Sequence, residues 1–376
     1  MVDGMETLPA PQGATGAYPG GCFLSYLPVA GQFVNHGRVP HGEGVITLAV
    51  DHARRSMVGL TWPRGLLVRC DMHPAPTASA SASPSSSTEP QLLTQQPPGQ
   101  KNMWMFDYPG RGEGESVHPS SGQYRCVCRS LAVDPRTGCA YWSNTKGDVL
   151  MLDPNTGDGG KVSVLLSGEE GLVRDYFGSW DPEAPGTMAY HWRQVQWVEG
   201  YRGGCIVGIH GNTGYLFELF VPGPGQKPTS AKLQLVDRIT SLPSRTCGME
   251  DQFSYGYLGF AVAGPENNPV VFYLTGAPKF GYDGRRIAGK ASTAKGESKG
   301  DEHLHLVTFQ LASRTYRDHG PIFFRDRPGY PTYCNSLAVD YNQNRLYALA
   351  RLPNGRTDLF RIPIPAEVSC QVQPLP

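Results

Sequence analysis

Short apolar stretches in which hydrophobic and polar residues alternate recur along the whole chain, and turns rich in Gly, Asn, Asp and Pro separate them. Residues 345–350, Arg-Leu-Tyr-Ala-Leu-Ala, are one example. Because successive side chains of a strand point to opposite faces of a sheet, this alternation is typical of half-buried β-strands. No stretch longer than one turn has the spacing of an amphipathic helix. The pattern therefore predicts an all-β protein.

Two of these stretches are copies of each other. Residues 308–322 align without a gap on residues 25–39, and each copy holds two short strands, the second ending on Asn/Asp-His-Gly. The sequence Leu-Ala-Val-Asp occurs three times, beginning at Leu48, Leu131 and Leu337. Hairpins that recur at a fixed place in a longer unit indicate a repeat architecture. His36 and His319 belong to the copied hairpins, so we expect them to have a structural role.

Starting each unit at a Leu-Ala-Val-Asp-like strand divides the chain into five groups of strands. The predicted strands are 44–51, 56–61, 66–71 and 103–108; 129–134, 139–143, 148–153 and 162–166; 194–198, 205–210, 214–221 and 233–238; 257–263, 270–275, 303–311 and 316–323; and 335–340, 345–350 and 357–362. The last group lacks an outer strand. We expect the N-terminal copy of the hairpin to supply it, which would close a ring and remove exposed sheet edges.

This order of strands resembles the β-propeller superfamily over roughly residues 20–365. More loosely, it resembles the bacterial sugar-processing propellers, whose blades also contain a Leu-Ala-Val-Asp strand. The fold class implied is an all-β propeller of five countable blades, in which N- and C-terminal strands share one blade. Six or seven blades would require strands hidden in the long connections. We expect residues 1–376 to form a single propeller domain.

Two insertions differ in composition. Residues 74–100 are rich in Ala, Ser, Pro and Gln, and we expect a disordered loop without regular structure. Residues 277–302 are basic, with six Lys/Arg against two acids between Lys279 and Lys299. In a propeller this second insertion would overhang the candidate site. It is either a lid that attracts an anionic ligand or simply a solvated loop.

Composition limits the classes of partner that we expect and indicates the cellular compartment. The net charge is zero and the pI is about 7.1, which argues against nucleic acid or an acidic membrane surface as partners. No apolar run approaches the roughly 20 residues of a membrane span. The nine cysteines are odd in number and scattered, and residues 1–21 lack the pattern of a signal peptide. We therefore expect reduced thiols and a cytoplasmic protein.

The propeller resemblance implies that two sets of loops lie on one face, where ligands bind. These are the loops that lead into the innermost strands and those that join the second and third strands. They carry the imidazole, phenol and guanidinium groups of the candidate site. The catalytic candidates are His191, Tyr257, Tyr333 and His41; the substrate-binding candidates are Arg193, Arg64, Arg129, His210, Asn335 and Trp62.

These side chains suit an eliminative lyase better than a hydrolase. A glycosidase needs two carboxylates that flank the bond, and the acids of this face form no recognisable motif. A lyase must neutralise a uronate carboxylate, remove the neighbouring proton and protonate the leaving oxygen. We therefore expect a carbohydrate-active enzyme that binds a small anionic ligand or oligosaccharide. The alternative is a non-catalytic scaffold that binds a protein or peptide on the same face.

A metal site is possible but not favoured by the sequence. His41, His191 and His210 come from three blades onto the same predicted face, yet no short-range ligand motif accompanies them. Within the sequence around Arg193, strand alternation predicts that His191 and Arg193 share one side of the chain. Tyr190 and Trp192 would then pack between blades.

Overall fold

The computed structural model describes residues 20–39, 43–62, 64–72, 91–92, 102–111, 128–172, 191–210, 214–246, 259–277, 303–340 and 343–369. Nearly all of their regular structure is strand; the α-helices among them are the short α1 (Leu242–Thr246) and α2 (Ala366–Ser369). The chain divides into two compact units, Met1–Asp107 and Tyr108–Pro376. One propeller domain over 1–376 stays a prediction.

The first unit holds one four-stranded antiparallel sheet and one small sheet. Its described strands are β1 (Cys22–Leu27), β2 (Gln32–Arg38), β3 (Gly44–Asp51), β4 (Ser56–Trp62), β5 (Leu67–Asp71), β6 (Gln91–Leu92) and β7 (Met103–Phe106). Strands β3, β4, β5 and β7 form the first predicted blade, and the small sheet has the order β1-β2-β6. Phe23 of β1 and Val39 pack against Met57, Val68 and Cys70 of that blade.

The second unit holds four antiparallel sheets that follow one another along the chain. Their strands are β8 (Ala132–Val133), β9 (Ala140–Ser143), β10 (Val149–Asp153) and β11 (Lys161–Leu166); β12 (Trp192–Val198), β13 (Cys205–His210), β14 (Tyr215–Phe220) and β15 (Lys232–Arg238); β16 (Gly259–Ala263), β17 (Val270–Ala277), β18 (His303–Gln310) and β19 (Thr315–Pro321); and β20 (Tyr333–Asp340), β21 (Arg345–Arg351) and β22 (Thr357–Pro363). The innermost strands β8, β12, β16 and β20 contact one another in that order.

The predicted fold class, an all-β propeller with five countable blades, is confirmed. Each of the five predicted groups of strands forms its own sheet, and the four complete blades have four strands each. Strands in the middle of a blade are mostly apolar where both of their faces are covered. Strand β13, Cys-Ile-Val-Gly-Ile-His, is buried at every position. Neighbouring blades are also tied by polar contacts: the Gln196 side chain donates to the Val262 carbonyl at 2.8 Å and accepts from its N–H at 2.9 Å.

The predicted closure of the C-terminal blade by the N-terminal hairpin is wrong. Strands β20, β21 and β22 form a three-stranded sheet, and the hairpin β1–β2 belongs to the separate sheet with β6. The copied sequence encodes two strands that pair with each other. Backbone hydrogen bonds then fix it inside the first unit, where Gly21 N–H donates to the Glu43 carbonyl at 2.8 Å.

The copied hairpins nevertheless share their detailed geometry. Ser25 pairs with Val34 in the first copy, and Thr308 pairs with Arg317 at the equivalent place in the second. The Ser25 hydroxyl lies 2.8 Å from Nε2 of His36, and the Thr308 hydroxyl lies 2.8 Å from Nε2 of His319. Both histidines therefore join the two strands of their own hairpin, as their recurrence in the sequence predicted.

The sequence predicted that the insertion 74–100 lacks regular structure, and the structure departs from this prediction at one place. Gln91–Leu92 forms β6, a short parallel partner of β2. An open strand edge offers backbone hydrogen bonds to any extended segment, whatever its side chains. The other residues of this insertion, and residues 278–302 of the basic insertion, lie outside the described residues.

Candidate functional site

The innermost strands β12 and β20 each begin with a β-bulge. In β12 the pairing with β13 shifts between Trp192 and Gln194, so Arg193 is the additional residue. In β20 the pairing with β21 shifts between Cys334 and Ser336, so Asn335 is the additional residue. A bulge re-aims a side chain out of the regular alternation and is common beside active sites. Two predicted ligand-binding residues therefore occupy the equivalent place in two blades.

Arg129 lies just before β8, in a segment that repeats the sequence around Asn335. The sequence Cys-x-Ser-Leu-Ala-Val-Asp begins at Cys128 and again at Cys334. Arg129 and Asn335 are the residues between the cysteine and the serine. In each blade the cysteine thiol donates to the backbone carbonyl of the serine two residues later at 3.1 Å, Cys128 to Ser130 and Cys334 to Ser336. The repeated contact shows that the two segments have the same local backbone. Arg129 therefore holds, just before β8, the motif position that Asn335 holds in β20.

Arg193 and Tyr333 are joined across two blades. The guanidinium Nη2 of Arg193 donates to the Tyr333 hydroxyl at 3.0 Å, and the two residues are only 2% and 3% exposed. The guanidinium carbon of Arg351 lies 5.7 Å from the centre of the Tyr333 ring, within the range of a cation–π contact. A buried cation is costly unless hydrogen bonds compensate it. The phenol supplies one such bond and is held beside the positive charge.

His191 lies at the end of a chain of hydrogen bonds that begins in the preceding blade. Its Nδ1 is 3.1 Å from the Ser143 hydroxyl, which donates to the Cys128 thiol at 3.4 Å. The Ser143 oxygen also accepts the backbone N–H of Trp192 at 3.2 Å. His191 and Cys128 are buried, and Ser143 is fully buried. Burial raises the pKa of the Cys128 thiol, because the thiolate would lose its hydration, so the sulfur keeps its proton.

The bulge breaks the alternation that the sequence predicted for residues 191–193. Trp192 packs as expected: it is fully buried, its ring is stacked on Phe217 at 6.1 Å, and its indole N–H donates to the Ser130 carbonyl at 2.7 Å. His191 also contacts this preceding blade, through Ser143. Arg193 reaches Tyr333 of the last blade instead. The action of His191 and Arg193 from one side as a pair stays a prediction, because a bulged residue does not follow strand alternation.

His210 lies next to this group. It ends β13, stands directly opposite Trp192 in the sheet, and is only 2% exposed. Its position confirms that the end of the second strand of a blade meets the start of the innermost strand, as the propeller resemblance implied. A role in binding substrate stays a prediction.

Two predicted ligand-binding residues belong to the first unit. Trp62 ends β4 and is half-buried. The guanidinium of Arg64 donates from Nε to the buried Glu43 carboxylate at 2.8 Å, and the Arg64 backbone N–H donates to the same carboxylate at 3.2 Å. Glu43 also accepts the Thr61 hydroxyl at 2.7 Å. These contacts give Arg64 a structural role in the turn after β4, and its role in ligand binding stays a prediction.

His41 and Tyr257 lie outside the described residues, so their predicted catalytic roles stay predictions. Within the part of the chain that the structure describes, no group of three His, Cys, Asp or Glu side chains could hold a metal ion. Within that same part, no helix is long and apolar enough to span a membrane.

Sequence reasoning missed two residues of this site. Cys128 and Ser143 form the hydrogen-bond chain to His191. The signal for Cys128 was available, because Cys-x-Ser precedes Leu-Ala-Val-Asp in two blades. No comparable signal exists for Ser143, since its partners are distant in sequence.

The chain is similar in fold to several solved propeller structures. No family model and no curated protein matches it. A protein of unknown function from Bacteroides thetaiotaomicron is 10% identical, with a TM-score of 0.41, and the match covers 92% of this chain and 67% of that one. The β-propeller domain of Cps50 (Swd1) from Myceliophteria thermophila is 11% identical, with a TM-score of 0.42 and coverages of 87% and 72%.

A periplasmic gluconolactonase, PpgL, from Pseudomonas aeruginosa is 14% identical, with a TM-score of 0.38, and the match covers 92% of this chain and 80% of that one. The fold of the chain is that of a β-propeller. At these identities the similarity concerns the fold alone, and the activities of these proteins say nothing about the reaction of this chain.

Proposed function

We propose that the chain is a carbohydrate-active propeller that binds a uronate-containing oligosaccharide and cleaves it by elimination. The observation that supports this proposal is the buried hydrogen bond from Arg193 to the Tyr333 hydroxyl. It puts a permanent cation and a proton-bearing phenol side by side, at the bulged starts of β12 and β20. An eliminative lyase needs this combination, since a carboxylate must be held while a neighbouring oxygen receives a proton.

The direction of this hydrogen bond leaves a proton for transfer. A guanidinium has only donors, so the Tyr333 oxygen is the acceptor of the contact with Arg193. The phenol proton therefore points to a different acceptor, which in the proposal is the glycosidic oxygen of the bound sugar. The planar fork of Arg193 carries further N–H groups, and such a fork can hold a carboxylate with two hydrogen bonds.

The proposed reaction needs no added reagent. His191 removes the proton from the sugar carbon that bears the carboxylate. The electrons of that bond form a carbon–carbon double bond, the neighbouring bond to the glycosidic oxygen breaks, and the leaving oxygen takes the proton of Tyr333. Arg193 stabilises the negative charge that grows on the carboxylate. The remaining candidates of the second unit would contact the sugar or assist proton transfer: Arg129, His210, Tyr257 and Asn335. Roles for His41, Trp62 and Arg64 stay predictions.

Calorimetric titration with trigalacturonate tests this proposal, with neutral maltotriose as the control ligand. We expect trigalacturonate to bind and maltotriose not to bind. Arg193→Lys keeps the charge but loses the fork, and it should weaken binding about 10- to 100-fold, the equivalent of one or two charge-assisted hydrogen bonds. Arg327→Lys, at an exposed ion pair with Asp358, is the matched control and should bind as the wild type does. Equal binding of the two sugars would contradict the proposal.

A second candidate function is that of a non-catalytic scaffold for a peptide. The observation in its favour is Phe323, which is 57% exposed although its ring is fixed by edge contacts to His303 at 5.4 Å and Tyr330 at 6.5 Å. Exposed, ordered aromatic rings are common at peptide-binding surfaces. Selection of binding peptides from a displayed library tests this alternative. Peptides that bind the wild type but not Phe323→Ala would favour the scaffold, provided that trigalacturonate gives no heat of binding.

A further inference from the structure

The chain from Cys128 through Ser143 to His191 has a fixed direction. Its starting point is the Ser130 carbonyl, which is an acceptor only. That oxygen receives the indole N–H of Trp192 at 2.7 Å and lies 3.1 Å from the Cys128 sulfur. At that distance the thiol proton is directed at the carbonyl. Burial raises the pKa of Cys128, so the thiol keeps this proton.

The next two links follow from the first. Because the Cys128 proton points to Ser130, the sulfur is left as an acceptor, and it receives the Ser143 hydroxyl proton at 3.4 Å. The Ser143 oxygen then has only acceptor capacity left. One lone pair accepts the backbone N–H of Trp192 at 3.2 Å, and the other faces Nδ1 of His191 at 3.1 Å. Nδ1 must therefore carry a hydrogen.

We infer that Cys128 and Ser143 are positioning residues that hold neutral His191 in the tautomer with hydrogen on Nδ1 and the lone pair on Nε2. This inference rests on the proposed function, where His191 is the base, and it specifies which nitrogen takes the proton. In catalytic sites the hydrogen bond made by one ring nitrogen determines the role of the other. Here a thiol and a hydroxyl replace the carboxylate or carbonyl that usually orients such a ring.

Cys334 in the last blade is a matched control for Cys128. Cys334 makes the same 3.1 Å contact to the Ser336 carbonyl, and burial raises the pKa of its thiol to about 12. It takes the place in β20 that Cys128 takes in front of β8. Replacing Cys334 therefore disturbs the same backbone feature without touching Ser143 or His191.

Nitrogen NMR of labelled, ligand-free protein tests the inference directly. In the wild type at a pH where His191 is neutral, we expect the Nδ1-protonated pattern for this ring. In Cys128→Ala the Ser143 hydroxyl loses its acceptor and can donate to Nδ1, so the ring should change to the Nε2-protonated pattern. Cys128→Ser, which keeps a donor and an acceptor, should restore the wild-type pattern, and Cys334→Ala should not change it.

Two results would overturn the inference: an Nε2-protonated ring in the wild type, or an unchanged tautomer in folded Cys128→Ala. The wild-type spectrum is decisive even if Cys128→Ala does not fold. Since no sugar is added, the outcome is independent of whether trigalacturonate binds, and failure of the proposed function would be seen separately in the titration.

Discussion

The second blade and the fifth blade begin with the same motif but differ in what surrounds it. Cys128 and Cys334 each donate to a serine carbonyl two residues later at 3.1 Å. The Ser143 hydroxyl, 3.1 Å from His191, donates to the Cys128 sulfur, whereas Cys334 packs against Gly259, where an added Cβ would come within 2.5 Å of its sulfur. The motif therefore shapes the backbone in each blade, and the neighbouring residues decide whether its thiol also joins a hydrogen-bond chain to a histidine.

The third blade makes the same contact to a serine carbonyl with a larger residue. Trp192 occupies the position that the cysteines occupy, one residue before the bulge, and its indole N–H donates to the Ser130 carbonyl that also accepts from Cys128. The three residues form a series in which the contact to a serine carbonyl is constant and the volume changes. The stability predictions below concern these three residues and the groups packed against them.

Trp192→Ala should have the largest effect on stability. The side chain is fully buried and stacked on Phe217, and removal of a buried tryptophan costs about 3–5 kcal/mol in the free energy of unfolding. Trp192→Phe keeps most of the ring volume and loses the hydrogen bond to Ser130, so it should cost about 1 kcal/mol plus a smaller packing loss. Urea unfolding measures both variants. Equal losses would show that the hydrogen bond, not the volume, holds the blades together.

Gly259→Ala should have the next largest effect. The added Cβ would lie 2.5 Å from the Cys334 sulfur and 2.9 Å from the Leu274 Cβ, and overpacking of this kind costs about 1–3 kcal/mol. Gly223→Ala is the matched control, because its nearest neighbour is Gln226 at 3.6 Å and its backbone is not in the left-handed region. If both variants unfold at the same urea concentration, Cys334 is not packed as described.

Cys128→Ala should cost more stability than Cys334→Ala, by about 1 kcal/mol. Both variants lose a buried thiol, but only the first also removes the acceptor of the Ser143 hydroxyl, which must then donate to Nδ1 of His191 and displace the tautomer held in the wild type. Urea unfolding of the two variants gives the difference. Equal costs would show that this rearrangement has no energetic cost, and that the two motifs are energetically the same.

The strands of the fold were predictable because their signal is local. Alternation and turn residues gave β3 its full range of Gly44–Asp51 and gave β13 its full range of Cys205–His210. A bulge depends on the register of two strands, so neither Arg193 nor Asn335 could be recognised as an additional residue from one strand alone. The closing strand was predicted wrongly for a related reason, since every open edge offers the same backbone groups.

The positions of the candidate residues at strand starts were predictable, and their contacts were not. The propeller resemblance placed His191, Arg193 and Tyr333 on strand starts, and the structure joins two of them by a 3.0 Å hydrogen bond. The link from Ser143 to His191 spans 48 positions in sequence, and no pattern marks it. Side-chain partners of this kind are set by the packing of blades, which alternation does not encode.

Stability should also depend on pH. Burial raises the pKa of Cys334 from 9.0 to about 12, so above pH 9.0 the unfolded chain releases a proton that the folded chain keeps. The free energy of unfolding should therefore fall as the pH rises from 9.0 towards 12, by up to about 1.4 kcal/mol per pH unit for this thiol. Its contribution is fully present below pH 9.0. Cys334→Ser, which does not ionise, should show a shallower slope in urea unfolding; an unchanged slope would contradict the burial of this thiol.

The most direct measurement of the proposed function is the ultraviolet absorbance of an unsaturated uronate during incubation with polygalacturonate. The wild type should produce this absorbance, Tyr333→Phe should reduce its rate about 100-fold or more because the proton donor is lost, and Arg193→Lys should reduce it as well. Wild-type protein that binds trigalacturonate but produces no absorbance would contradict the eliminative reaction. A Tyr333→Phe variant that retains the full wild-type rate would contradict the role of the Arg193–Tyr333 pair.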